Sequence, residues 1–143
     1  MNVSAMLSGK GPDVITVSPE SLVLEVTRVL AEKKIGSVVV LDDNGVIRGI
    51  VSERDIVRRI AADGSGALEA PVSTVMTCEV VTCRREDTIN HIMEEMTRGR
   101  FRHVPVVDQG QLVGIVSIGD VVKHRIAEAE LEASAMREYI ATG

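Results

Sequence analysis

Tryptophan is absent from this chain of 143 residues, and phenylalanine and tyrosine occur once each. A core without aromatics must be aliphatic, and the shortage removes the stacking platforms on which proteins lay out single-stranded nucleic acid. Basic residues are outnumbered 16 to 21, for a net charge of -5, which argues against a general polyanion binder and leaves room only for local basic patches. Apolar runs never approach the roughly 18 residues of a membrane helix. The opening MNVSAMLSGKG lacks the charged and apolar regions of a signal peptide. A cytoplasmic protein with no membrane insertion is therefore expected. Thiols number two, Cys78 and Cys83, and their spacing puts them on opposite faces of a strand, a poor geometry for a disulfide. They are expected to be small fillers around that strand.

The catalytic inventory is equally thin. His91, His103 and His124 show no zinc-ligand spacing with each other or with the thiols. Gly114-Ile-Val-Ser117-Ile-Gly119 misses a nucleophile elbow by one position, and Gly9-Lys10-Gly11-Pro12 lacks the spacing and the Ser/Thr of a phosphate-binding P-loop. No catalytic residue and no metal site is assigned, and Lys10 is kept only as a candidate phosphate contact.

What the chain does contain is a word written twice. GIVSERD begins at Gly49 and GIVSIGD at Gly114, an offset of 65, and the likeness extends outward over most of the chain. Upstream of a turn the offset is 66, because DDNG at 42–45 is one residue longer than DQG at 108–110. Length changes are best tolerated in such Gly-ending turns. Each copy reads as strand, helix, strand, strand, helix. In the first, Val14 to Val17 is a strand and Ser18-Pro19-Glu20 signals a helix start. SVVVL and VIRGIV flank Asn44-Gly45 as a hairpin, and Ser52 caps a helix whose Ile56, Val57 and Ile60 mark its apolar face. The second copy has VVT as its strand, a helix from about Asp87 to Thr97, HVPVV and LVGIV as the hairpin, and a helix opening at Ser117. The divisions expected are an N-terminal segment 1–12, repeats 13–62 and 79–126, a linker 63–78, and a helical extension 127–143. In that extension Leu131, Met136 and Ile140 form only an irregular stripe.

The repeated word has a chemical reading. A Gly within a strand often marks close approach of another group. A strand turning into a helix at Ser presents backbone N–H groups and the positive end of a helix dipole, which suits phosphate. Three residues on, an Asp can accept hydrogen bonds from two vicinal hydroxyls such as those of a ribose. The simpler reading is a capping motif, with Ser as cap and Asp answering the dipole. A second copy in equivalent context favours binding.

On these residues the chain resembles a tandem pair of cystathionine β-synthase (CBS) domains, a Bateman module, over residues 13 to about 126. GIVSERDIVR, PVSTVMT, RFRHVPVVD and GIVSIGDVVK carry the likeness, closest to small stand-alone bacterial members. The resemblance implies an α/β (α+β) fold of two β-α-β-β-α repeats packed sheet to sheet with pseudo-twofold symmetry, plus the C-terminal helical tail. It implies adenosine-ligand clefts, with AMP, ADP, ATP, S-adenosylmethionine and NAD(H) among the family's ligands. Carried over, Asp55 and Asp120 match the ribose-binding position, and Ser52 and Ser117 face the phosphates. Ile15, Thr16, Val81 and Thr82, with Ile35, Gly36, Ser37, Val51, Pro105 and Val116, line the adenine. Arg54, Arg58, Arg100, Arg102 and His103 are the other candidate phosphate contacts, although cations near a helix C-terminus also simply answer its dipole.

Because Glu53-Arg54 stands where the other copy has Ile118-Gly119, the clefts are expected to differ in ligand or affinity. The function expected is a non-catalytic energy or redox sensor, a homodimer acting in trans on an unidentified effector protein. The alternative is a ligand-free module for protein-protein interaction. Nucleic-acid binding has only RGRFRH in its favour.

Overall fold

A computed structural model describes residues 1–10 and 14–142. Its β-branched runs pair as their turn chemistry demands. Strands β1 (Thr16–Val17), β2 (Ser37–Leu41) and β3 (Ile47–Ser52) make one sheet in that order, β1 parallel and β3 antiparallel to β2. Strands β4 (His103–Asp108) and β5 (Gln111–Ser117) form the antiparallel pair of the second repeat. Gln109 and Gly110, at φ 51° and 78°, supply the two left-handed residues that a tight two-residue hairpin turn needs. The longer first turn closes on Asp42, whose carboxylate accepts the N–H groups of Asn44 and Val46 and the Nε of Arg48.

Among the described residues five α-helices complete the order: α1 (Val3–Lys10), α2 (Val23–Lys33), α3 (Glu53–Asp63), α4 (Ile89–Gly99) and α5 (Ile118–Thr142). Two expectations need correction. Residues 80–82 belong to no strand. Only Cys83 bridges Val106, in the register that Val17 keeps with Val40. Helix α2 begins at Val23, not at Pro19, because the segment before it is engaged elsewhere. The carbonyls of Ser21 and Pro19 accept the N–H groups of Val72 and Ser73 at 2.7 and 3.2 Å, and the Val23 N–H donates to Ala70.

Those bonds come from the expected linker, which is therefore no spacer. It forms short 3-10 turns at Ser65–Glu69 and Val72–Thr74, and its Val72 and Val75 join Val23, Val26, Leu30, Val38, Val40, Val51 and Ile56 in the first core. The N-terminal segment likewise serves the other repeat. Val3, Met6 and Leu7 of α1 pack with Ile89, Ile92, Met96, Val104, Val106, Val116 and Val121. Each repeat is completed by the segment preceding its neighbour. The boundary expected between residues 12 and 13 lies outside the described residues.

The glycines of the repeated word explain themselves here. A Cβ on Gly49 would lie 2.7 Å from the Met76 Sδ and 2.8 Å from the Thr77 carbonyl oxygen; one on Gly114 would lie 2.6 Å from Leu7 Cδ2. Close approach is real, but the approaching groups are the linker and α1, on the helix-covered faces of the sheets.

Strand alternation turns Ser37, Val39, Ile50 and Ser52 away from the first core, and the paired residues His103, Pro105, Ile115 and Ser117 away from the second. These faces meet between the repeats. Val39 is fully buried without belonging to either core, and the His103 ring lies 3.7 Å from where a Gly36 side chain would begin.

Candidate functional site

At the start of α3, Ser52 and Asp55 form a reciprocal capping box. The Asp55 N–H donates to the Ser52 Oγ at 3.2 Å, and the Ser52 N–H donates to Asp55 Oδ2 at 2.9 Å. Ser117 and Asp120 repeat it at 3.1 and 2.9 Å at the start of α5. Local chemistry explains this fully: Ser with a carboxylate three residues on satisfies two orphan donors. The next donor is also satisfied, since Glu53 N–H reaches the Gly36 carbonyl at 3.0 Å and Ile118 N–H reaches the Arg102 carbonyl at 2.8 Å. These helix starts thus offer phosphate fewer free N–H groups than the sequence suggests. What remains at each is the second carboxylate oxygen, which takes no hydrogen bond among the described residues.

The two carboxylates differ in their surroundings. Lys10 Nζ sits 2.8 Å from Asp120 Oδ2 and donates to the Ile115 carbonyl at 2.7 Å. Lys10, expected to face phosphate, instead rests on the carboxylate expected to hold ribose, because α1 lies along the second repeat and points its last residue at α5. Burial pushes the Asp120 carboxyl up, but Lys10 and the Ser117 N–H outweigh it and hold it below its ordinary value. Among the described residues Asp55 has no such cation.

Arg54, Arg58, Arg100 and Arg102 are all exposed, and none is in an ion pair among the described residues. Arg100 ends α4 in the left-handed conformation at φ 57°, as Lys34 ends α2 at φ 56°, so its position first of all serves the helix end.

Of the residues expected around adenine, Val51 and Val116 are wholly buried within their own repeats' cores, so their side chains are turned from the cleft. Ile15 and Ile35 pack against the first core from its margin, and Thr16 is exposed. Ser37 fits the expectation better. It is only 7% exposed, its hydroxyl has no partner among the described residues, and it stands opposite Ser52 on the face between the repeats. A buried unpaired hydroxyl costs free energy that a ligand atom can return. Pro105 is buried on the corresponding face of β4. Val81 and Thr82 line a cavity of about 230 Å³ with Asp87, His91, Ile92 and Glu95, where the strand expected at 80–82 fails to form. That cavity does not include Asp120. Cys83 is buried beside it, its thiol pushed up to about 12 by burial and by Asp87, while Cys78 is exposed; both are free.

His103 lies at the meeting of the repeats, near Gly36. Burial first, then the charge of Lys10, holds its pKa below the ordinary 6.5, with Arg102 adding to this and Asp120 and Glu53 opposing it. Glu53 stands at the same point, its Oε1 3.8 Å from where a Gly36 side chain would begin, so one member of the Glu53-Arg54 pair that departs from Ile118-Gly119 does reach the meeting of the repeats. A depressed histidine pKa means that the unfolded chain binds the proton more readily. The stability it contributes is present above the ordinary value and is lost as the pH falls from there toward the folded value. The thermal midpoint should therefore fall on acidification from pH 7.5 to 5.5, and less steeply in His103→Gln. Equal slopes in the two proteins would refute this account.

The CBS domain profile matches residues 10–62 and again 72–127. The CBS domain-containing protein YhcV of Bacillus subtilis is 32% identical over 114 residues, 80% of each chain. The crystal structure of the CBS-domain containing protein ATU1752 from Agrobacterium tumefaciens superposes with a TM-score of 0.85 at 49% identity, covering 87% of this chain and 99% of that one. CBSX2, solved in complex with AMP, gives a TM-score of 0.74 at 26% identity over 90% of this chain and 98% of its own. None of this chain's helices is long and apolar enough to cross a membrane, among the described residues. Two profile matches over two structurally equivalent repeats, each completed by the other's leading segment, place the chain in the CBS-domain family as a tandem pair.

Proposed function

We propose that this chain is a non-catalytic regulatory module that binds adenine nucleotides, AMP, ADP, ATP or NAD(H), in the clefts between its repeats. One observation carries the reading. At two equivalent strand-to-helix junctions a carboxylate is fixed by its capping box through one oxygen, leaving the other able to accept ribose hydroxyls. Ser37 supports it as a buried hydroxyl on the cleft face with no partner among the described residues, and the similar CBSX2 was solved in complex with AMP. Arg54, Arg58, Arg102 and His103 are the phosphate-side candidates, with Ser52 and Ser117 at the helix starts. The first cleft is the tighter, because Lys10 draws on the charge of Asp120 and leaves its free oxygen the weaker acceptor, while Asp55 has no such cation among the described residues. The module works as a homodimer within the cytoplasm and acts in trans, since a nucleotide preferring one arrangement of the repeats shifts the surface offered to an effector protein.

A second reading, a ligand-free interaction module, draws on the same capping boxes and on the Lys10–Asp120 pair, which satisfy much of the site internally. Thermal unfolding with AMP, ADP, ATP, NAD, NADH and S-adenosylmethionine separates the two. A nucleotide at 100 times its dissociation constant stabilises by about 2.7 kcal/mol. A midpoint unmoved by every nucleotide would leave the interaction module as the surviving reading.

A further inference from the structure

Helix α5 runs 25 residues, and beyond Val121 its apolar side chains lack cover. Val122, Ile126, Met136 and Ile140 are 48%, 55%, 61% and 71% exposed. With the exposed Ala129 and Ala133 included, the irregular stripe becomes regular: positions 122, 126, 129, 133, 136 and 140 step by 4, 3, 4, 3 and 4. Leu131 falls off this line. The spacing is a heptad seam, set about a quarter turn from Val121 at roughly 100° per residue, so the body of the repeat does not cover it.

We infer that this seam pairs, as a parallel two-stranded coiled coil, with the same helix of a second copy of the chain. Charge selects both occupant and direction. The seam is flanked on one side by Arg125 and Glu132 and on the other by Lys123, Glu130 and Arg137. In a parallel pair each flanking residue of the first side meets the residue five positions on in its partner, so Arg125 faces Glu130 and Glu132 faces Arg137, each twice by symmetry. An antiparallel pair that stacks Ala129 on Ala133 sets Glu130 against Glu130, Glu132 against Glu132, and Lys123 near Arg137. Those contacts repel. Glu130, Glu132 and Arg137 form no ion pair within the chain among the described residues, while Arg125 lies 3.8 Å from Glu128 on its own helix and reaches Asn90 at 3.2 Å, so the Glu132–Arg137 contact carries the argument. The small Ala129 and Ala133 let the two helices approach closely, between larger Ile126 and Met136.

The inference gives the proposed homodimer an orientation and does not depend on nucleotide binding. It is tested on the full chain with Cys78→Ser, which removes the exposed thiol. In that background Ile140→Cys should form an interchain disulfide on mild oxidation, because parallel pairing sets the two introduced thiols side by side. Antiparallel pairing would set each opposite Val122, roughly 27 Å away along the helix. Sedimentation should show dimer association at least tenfold weakened by Glu132→Arg and restored by Glu132→Arg/Arg137→Glu. A monomeric wild-type chain overturns both the inference and the homodimer. A dimer indifferent to Glu132→Arg, or one whose Ile140→Cys form does not cross-link, overturns the coiled coil alone.

Discussion

Asp55→Ala removes one nucleotide-binding event and Asp120→Ala the other, each by more than about a hundredfold. The magnitude follows from two hydroxyl hydrogen bonds to a charged carboxylate, each contributing about 1.5–3 kcal/mol, with every 1.4 kcal/mol a factor of ten. Because each Asp also accepts its cap's N–H, the substitution costs stability as well as binding. Ser52→Ala and Ser117→Ala separate the two effects. Each loses the cap and about 1 kcal/mol of stability but keeps the carboxylate, so it should bind far better than the matching Asp variant. Calorimetric titration counts the sites, and the event surviving in Asp120→Ala should be the tighter one, since no described cation draws on the charge of Asp55 as Lys10 does on that of Asp120. If both Asp variants retain two events, the ribose assignment fails.

The largest loss of stability is expected at Gly49. A methyl there meets the Met76 side chain and also the Thr77 carbonyl, which accepts the Ile50 N–H at 3.0 Å while the Thr77 N–H donates back at 2.9 Å. Backbone must move and this two-way pairing must loosen. At Gly114 the obstacle is Leu7 alone, a side chain that can change rotamer within its core. Overpacking costs about 1–3 kcal/mol, so Gly49→Ala belongs at the upper end and Gly114→Ala near the lower. Each kcal/mol moves the midpoint by several degrees in a chain of this size. Equal midpoints for the two variants would show that the linker yields as easily as Leu7.

Features that depend on neighbours in sequence were legible before any coordinates. The double repeat, the one-residue difference in the turns, the hairpins and the caps at Ser52 and Ser117 all rest on local chemistry: β-branched runs, left-handed turn residues, a hydroxyl before a helix. The strand expected at 80–82 failed for the opposite reason. Strand formation needs a partner edge, and only Cys83 finds one, at Val106. The start of α2 was misplaced because the carbonyls at Pro19 and Ser21 are claimed by residues some fifty positions away.

The site divides along the same line. Residue types at Asp55, Asp120, Ser52 and Ser117 announce a cap and a candidate ribose acceptor, since both roles follow from side-chain chemistry three positions apart. Which group each glycine makes room for, why Val51 and Val116 face a core instead of a cleft, and that Lys10 rests on Asp120 are matters of long-range packing. α1 and the linker each cross to the other repeat to fill an apolar gap left by a half-size unit. That exchange brings Lys10 to one carboxylate and no described cation to the other, making two nearly identical words into unequal sites.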